Sequence, residues 1–512
     1  MRIILLISKS VVTSPIKGII AHLILARATY RFRDYPGATS ERPIIWTSGS
    51  HSGALYNARM KRLLLHIGLL VGLLAGPIRS LAATTAGDSF EGYPGDYRGP
   101  HEQIIEIDRF AMDNGQTTLL YSEYDSGHVR RMYADGKGQF TIGPAFGIEQ
   151  PAEATIIFVK DTQGTVIGLR LKTTDGRQQF CAKIPVDQRE VSFRSADATL
   201  AGTLFIPPGP GPHPAIILLH GSGPLTRYSF GPYPHFFTSL GLAVLIYDKR
   251  GSGASSGPFM IEASYYPNDF TNDAVAAFQF LQGRKEIDSN KIGLWGSSEG
   301  GMLTTQVAAR NDQVAFLIDS SGFMMPLADQ LLYKVRAQLQ AEGFSANDVG
   351  TAEAYQKQKL QVESTGEGFE QFQALREGSK GKKWFFLFSD DPTSLDDMRW
   401  QWKHVYYFDP LPALKNVRCP VLGVFGALDV YTDAPTAAAN LRNALISAGN
   451  DNVTTKIFAN ANHALVEVRS GRGAEFDKSQ GQAPGLFLKL AQWIRQQTEA
   501  DSTAPNNQQP RN

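Results

Sequence analysis

The hydrophobic rhythm of the chain changes part-way along. Between residues 85 and 188 short runs alternate apolar and polar positions: Gln103–Ile107, Thr117–Tyr121, Val129–Tyr133, Ala154–Val159, Val166–Leu171 and Gln178–Ile184. A period of two marks half-buried strands. Polar turns at Asp113–Gly115, Asp135-Gly136 and Asp175-Gly176 separate several of them, which predicts an antiparallel β-domain joined by hairpins. From about 190 to 498 the runs become continuously apolar: Ala215–Leu219, Leu242–Tyr247, Ile292–Trp295, Ala315–Asp319 and Val421–Phe425, with a further strand at Thr454–Phe458. Helical stretches such as Asp269–Leu281 and Pro435–Ala448 lie between them. Strands buried on both faces and alternating with helices predict a doubly wound, mostly parallel α/β sheet.

Other segments break this pattern. Residues 322–412 interrupt the sheet with helical runs (Leu327–Glu342, Ala352–Val362, Phe369–Glu377) and an aromatic cluster, Trp384 to Phe386 and Trp400 to Phe408. An insertion at the carboxyl ends of the strands is expected to sit over the site as a helical cap. After the terminal helix Leu486–Gln497, residues 499–512 are polar and expected to be disordered. Near the other end, Met60-Lys61-Arg62 precedes 14 largely apolar residues and then Ser80-Leu81-Ala82-Ala83. That order is the pattern of a secretory signal peptide over 60–83, cleaved after Ala82 or Ala83 and too short for a comfortable membrane span. Such signals are read at the start of a chain, so Met60 is expected to be the true start, with 1–59 a mistranslated upstream extension. The mature protein is then exported, to a periplasm or beyond, with no stable membrane span.

The chemistry gathers at the ends of the α/β strands. Gly296-Ser297-Ser298-Glu299-Gly300 fits G-x-S-x-G between the strand Ile292–Trp295 and a helix from Met302 to Ala309. Reversal within so few residues crowds Ser298 against positions −2 and +2, where only glycine leaves room. The serine then sits at a helix N-terminus, with backbone N–H groups facing any developing negative charge. Asp429 follows the strand Val421–Phe425, and His463 follows Thr454–Phe458. The ends of parallel strands are where ligands of such sheets bind.

These blocks together resemble the α/β-hydrolase superfamily, in its esterase and peptidase-like branch. The resemblance covers about residues 190–498 and rests on HGSGP, YDKRGSGASSG, GSSEGG, GALD and ANHAL in order. It implies Ser298 as nucleophile, His463 as general base and Asp429 as the acid that orients the histidine. It also implies an oxyanion hole from the N–H of Glu299 and one from the loop at Gly221-Ser222, with Ser222 favoured. The stretch 138–178 resembles a small lipocalin-like β-domain sometimes appended to serine hydrolases, a match of texture more than of fixed residues.

The residue types suit the task. A serine hydroxyl needs a base during attack, and an imidazole titrating near neutrality supplies one. A carboxylate on its far nitrogen fixes the tautomer, and each oxyanion donor contributes about 3 kcal/mol. Other polar residues have structural readings. His220 is expected to hold the glycine loop, Asp248 and Arg250 to brace neighbouring loops by ion pairing, Asp433 to open a helix, His404 to lie on the surface or lid, and Ser297 to pack the turn.

Composition excludes more than it adds. The net charge of +1 and the lack of basic blocks give no case for nucleic acid. The scattered histidines form no metal-ligand spacing, so neither metal nor cofactor is expected. Cys181 and Cys419, the two cysteines, are read as free thiols. The leading expectation is an exported enzyme that cleaves a small-molecule carboxylic ester through an acyl-enzyme. Alternatives are an aminopeptidase-like enzyme, an acyl thioester hydrolase, or a non-catalytic binding protein on the same scaffold.

Overall fold

A computed structural model describes residues 90–112, 116–260 and 269–499. The signal-peptide pattern, the upstream extension, the turn Asp113–Gly115 and the tail beyond Glu499 lie outside these residues.

The first sheet contains β1 (Gly95–Arg98), β2 (Ile104–Ala111), β3 (Thr117–Glu123), β4 (Val129–Arg131), β5 (Tyr133–Ala134), β6 (Gln139–Ile142), β7 (Ala154–Lys160), β8 (Val166–Thr173) and β9 (Gln178–Lys183). Its order is β4-β3-β2-β1-β9-β8-β7-β6-β5, with every pair antiparallel. The outermost strands, β4 and β5, adjoin in sequence, so the sheet is nearly closed. Alternating side chains fill its interior with Tyr97, Ile105, Ile107, Ile156 and Leu169, all fully enclosed. Val129–Tyr133, which reads in the sequence as one strand, is split at Met132, where the chain passes from one end of the sheet order to the other.

The second sheet contains β10 (Asp187–Ser195), β11 (Ala198–Ile206), β12 (His213–Leu219), β13 (Ala243–Tyr247), β14 (Ile287–Ser297), β15 (Leu317–Ser320), β16 (Val421–Gly426) and β17 (Val453–Phe458). Its order is β10-β11-β13-β12-β14-β15-β16-β17. The six strands from β13 to β17 in that order are parallel, so their carboxyl ends share one edge. The antiparallel hairpin β10–β11 closes the other side. That hairpin is absent from the sequence reading because β10 is mostly exposed and carries no apolar run to announce it.

Helices cover both faces: α1 (Tyr233–Ser239), α2 (Asp269–Gln282) and α3 (Glu299–Ala308), then α4 (Leu327–Ala341), α5 (Ala346–Thr365), α6 (Phe369–Ser379), α7 (Leu395–Gln401) and α8 (Leu411–Leu414) between β15 and β16. α9 (Ala434–Ser447) and α10 (Leu486–Glu499) follow. No helix among the described residues is long and apolar enough to cross a membrane. The inserted helices have their own core, in which Trp384, Tyr355, Phe372 and Phe388 are buried together. Of the aromatic cluster, Trp384 and Phe385 belong to this core, while Phe386 and Tyr407 are exposed.

The two sheets are stitched by backbone. Residues 476–482, which follow the His463 loop, run beside β4: the N–H of Val129 donates to Gln480 O at 3.2 Å, Phe146 N–H to Ser479 O at 2.9 Å, and Gln482 N–H to Gly127 O at 2.8 Å. The Arg130 guanidinium also bonds the Gln480 carbonyl. On its far side the same segment bonds the chain just after His463, through Glu467 N–H to Gly481 O at 2.9 Å and Ala483 N–H to Leu465 O at 2.7 Å.

The same domain boundary buries carboxyls. Asp96 and Glu106 face each other across β1 and β2, both almost wholly enclosed beside α1. Burial pushes Asp96 up to about 7, against a 3.2 Å hydrogen bond from Tyr124. Glu106 is pushed well above the carboxylate range by burial and then by the charge of Asp108. A carboxyl raised in the fold holds its proton where the unfolded chain has released it. Its contribution is complete below the unfolded pKa, near 4, and is lost as pH rises through the folded value. Stability is therefore expected to fall as pH rises from about 5 towards 7, by up to about 1.4 kcal/mol per pH unit for each such group. Glu106→Gln should flatten this slope in urea titrations; an unchanged slope would exclude Glu106 as a source.

Candidate active site

β14 delivers an apolar strand to the elbow and α3 leaves it. Between them Ser298 takes φ 58° and ψ −119°, a conformation that a residue with a side chain rarely holds. Backbone crowding enforces it. A Cβ on Gly296 would lie 2.1 Å from the Gly300 carbonyl oxygen, and one on Gly300 would lie 2.2 Å from the Leu219 carbonyl oxygen. The Ser298 N–H donates to Ser320 O at 2.8 Å, which ties the turn to the end of β15.

His463 lies in the loop after β17, with Nε2 2.9 Å from Ser298 Oγ and Nδ1 2.7 Å from Asp429 Oδ2. Asp429 follows β16, and its Oδ1 accepts from the N–H groups of Tyr431 at 2.7 Å and Thr432 at 2.9 Å. The Asp429 side chain is sealed from solvent, while that of His463 is 20% exposed. The cap reaches this point as well: Tyr333 on α4 donates its hydroxyl to the Asp429 carbonyl at 2.7 Å. The arrangement can pass the serine proton to Nε2 while the carboxylate holds the far N–H.

The other candidates have separate roles. Asp433 caps α9, its carboxylate accepting from Thr436 N–H at 3.2 Å. His220 bonds Thr226 O at 3.0 Å, and burial brings it down to about 3, so it is neutral and holds its loop. His404 bonds Trp400 O at 2.8 Å and stacks on its indole. Ser297 pairs with Ser320 at the end of β14 and borders the cavity. Asp248 and Arg250 do not pair with each other. Asp248 takes the guanidinium of Arg227 at 3.1 Å, and Arg250 takes Asp273 at 2.6 Å. Cys181 and Cys419 are free thiols.

Comparison with known proteins places similar hydrolases beside this chain. The model of the prolyl oligopeptidase family matches residues 228–359, a span that includes Ser298 but not Asp429 or His463. The chain is similar to esterase EstD of Thermotoga maritima, 26% identical over 67% of this chain and 76% of that one. It is 31% identical to an uncharacterized 31.7 kDa protein of Escherichia coli over 24% of this chain, and spans 42% of that relative's length. An esterase structure from Pyrococcus furiosus aligns with a TM-score of 0.38 at 14% identity, over 61% of this chain and 93% of that one. The chain is a hydrolase of the α/β-hydrolase fold, similar to an esterase and, over part of its length, to the prolyl oligopeptidase family.

Two groups in this hydrolase escape a reading of the sequence. Lys249, at the end of β13, donates from Nζ to Glu299 Oε2 at 2.6 Å and to Gly221 O at 2.7 Å. Both charged side chains are only 4% exposed. One ammonium thus ties the loop after β12 to the first turn of α3. The signal was present as three charged residues, Asp248 to Arg250, at the end of a wholly buried strand. Asp319, at the end of β15, is the second. Its Oδ1 accepts from Gly322 N–H at 2.8 Å, and burial pushes the carboxyl up to about 7.

Removing one partner of a buried ion pair leaves the other charge uncompensated. Lys249→Met is expected to cost about 3–5 kcal/mol in urea unfolding, because Glu299 remains as a buried carboxylate. The double variant Lys249→Met/Glu299→Gln should recover much of that loss. If the double variant were no more stable than the single one, the ammonium would be stabilising the fold by some other contact.

Proposed function

We propose that the hydrolase is an exported serine esterase that cleaves an uncharged carboxylic ester through an acyl-enzyme on Ser298. The observation that carries this reading is the pair of bonds at His463, 2.9 Å to Ser298 Oγ and 2.7 Å to Asp429 Oδ2. Ser298 Oγ attacks the ester carbonyl as His463 Nε2 takes its proton, and Asp429 stabilises the resulting imidazolium. The imidazolium returns that proton to the departing alkoxide. Water, deprotonated by the same nitrogen, then releases the acid.

The oxyanion in both halves of the reaction is assigned to the N–H groups of Glu299 and Ser222, with Gly221 the neighbouring alternative. A Cβ on Gly221 would fall 3.5 Å from the Ser298 Cβ, so this loop abuts the elbow. The Gly221 carbonyl is held by Lys249. In a trans peptide the N–H points opposite to the carbonyl, which fixes the Ser222 N–H away from the ammonium and favours Ser222 as donor.

The esterase name of the Thermotoga relative favours the ester reading, and the prolyl oligopeptidase family description favours a peptidase. Peptidase action on a free amino terminus needs an anion for the ammonium. Glu342, exposed on the cap side, is the one carboxylate among the described residues bordering the cavity. Aryl esters, acyl thioesters and aminoacyl amides, assayed in parallel, separate the alternatives, with the ester expected to turn over fastest.

Ser298→Ala and His463→Ala should each lower kcat by at least about 1,000-fold, with Asp429→Asn close behind. A fluorophosphonate probe should label Ser298. Wild-type turnover by Ser298→Ala would end the proposal and leave a binding role on the same scaffold. For export, amino-terminal sequencing of the natural protein is expected to begin just after Ala82 or Ala83; a start near residue 1 would remove that part.

A further inference from the structure

The cavity beside Ser298 is not built by the α/β-hydrolase alone. It has a volume of about 640 Å³, within the range of sites that enclose a drug-sized ligand. One end holds Ser298 and His463, and the cap contributes Phe344 and Phe386. Phe230, Tyr233 and Trp295 of the α/β domain line another part, and a further stretch of wall comes from the antiparallel domain, through Phe110, Leu120, Val129 and Phe146. These four residues and Phe476 form an apolar cluster of their own, apart from the interior of that sheet. Leu120, Val129 and Phe146 are buried, and the ring of Phe146 meets those of Phe110 at 6.3 Å and Phe476 at 4.8 Å.

Their placement has a specific cause. β4 is stitched to residues 476–482, and that segment is stitched to the chain just after His463. The outward face of β3 and β4 is thereby held at the mouth of the serine site. Among the described residues that border the cavity there is no lysine or arginine. Nothing there would compensate a substrate carboxylate or phosphate, and desolvating such a charge without a partner is costly. An apolar wall and a wall without cations select the same ligand.

We propose that the antiparallel sheet is part of the substrate site, and that the substrate is an uncharged ester with a large apolar group seated against Phe110, Leu120, Val129 and Phe146. This rests on the proposed esterase reaction at Ser298. Phe110 and Phe146 are specificity-determining residues in it, since they touch the bound group and not the reacting atoms.

The test compares three esters on the full chain: p-nitrophenyl acetate, p-nitrophenyl decanoate and 1-naphthyl acetate. The decanoate carries its apolar bulk on the acyl side and the naphthyl ester on the alcohol side, so the preferred one identifies which half occupies the wall. At least one should exceed p-nitrophenyl acetate in kcat/KM by tenfold or more. Phe146→Ala and Phe110→Ala should reduce that preference at least fivefold, mainly through a higher KM for the favoured ester. Phe110 is half-buried, which keeps a second variant available if Phe146→Ala folds poorly. The wild-type preference is itself a measurement that needs no variant. Equal rates on all three wild-type esters, or variants that slow all three alike, would overturn the proposal and reduce the sheet to a scaffold. Loss of the serine reading has a different signature: no fluorophosphonate label on Ser298 and undiminished turnover in Ser298→Ala.

Discussion

The backbone contact at the elbow is the constraint on which the rest of the site depends. Gly296 is pressed against the Gly300 carbonyl and Gly300 against the Leu219 carbonyl, so neither accepts a β-carbon, and Ser298 is driven to positive φ between them. That conformation lifts Oγ clear of the strand and leaves the first turn of α3 directly beneath it. The strain is of order 1–3 kcal/mol for a residue held in such a region, and the surrounding structure has to hold it. It does so through β14, buried between β12 and β15, and through the bond from Ser298 N–H to Ser320 O. Lys249 adds a charged clasp at the same point, joining α3 to the loop after β12. The serine is thus positioned by neighbours on both sides within the sheet.

The histidine is positioned differently, from outside the sheet. Its loop is the inner layer of a stack that continues through residues 476–482 to β4 of the antiparallel domain. Asp429 is held from the cap side, where Tyr333 binds its carbonyl. Separate parts of the chain therefore converge on one imidazole. This makes the geometry depend on how the antiparallel sheet docks, and it gives that sheet access to the cavity. Docking and access are two results of the same backbone pairing.

Much of this was legible in the sequence, for a physical reason. Parallel strands buried on both faces need unbroken apolar runs, and the residues that leave their carboxyl ends are polar because they line the site. Ser298 and Asp429 each follow such a run, and His463 follows the mixed edge strand β17, so strand order was enough to single them out as candidates. The hairpin β10–β11 was not legible, since an edge strand with one face in solvent lacks the run. Lys249 was hidden for another reason: its partners Gly221 and Glu299 lie 28 and 50 residues away, and only the parallel order of β12, β13 and β14 brings them together. The cavity wall was hidden most completely. Leu120 and Val129 read as ordinary strand residues, and nothing local distinguishes a side chain facing the sheet interior from one facing a second domain.

Two aspartates approach the same imidazole from neighbouring strand ends, and their surroundings separate them. Asp429 receives two backbone N–H groups on one oxygen and the histidine on the other, so every hydrogen bond it makes stabilises a carboxylate. Asp319 receives one N–H from Gly322, while its second oxygen is buried without a partner. An ionised carboxyl with an orphan oxygen is costly in that position, and burial accordingly raises Asp319 to about 7. Asp319, with one oxygen unpartnered, is the poorer of the two at holding a negative charge, whereas each oxygen of Asp429 already accepts a donor. The role of orienting charge in the proposed serine reaction therefore goes to Asp429, on the hydrogen bonds that surround it.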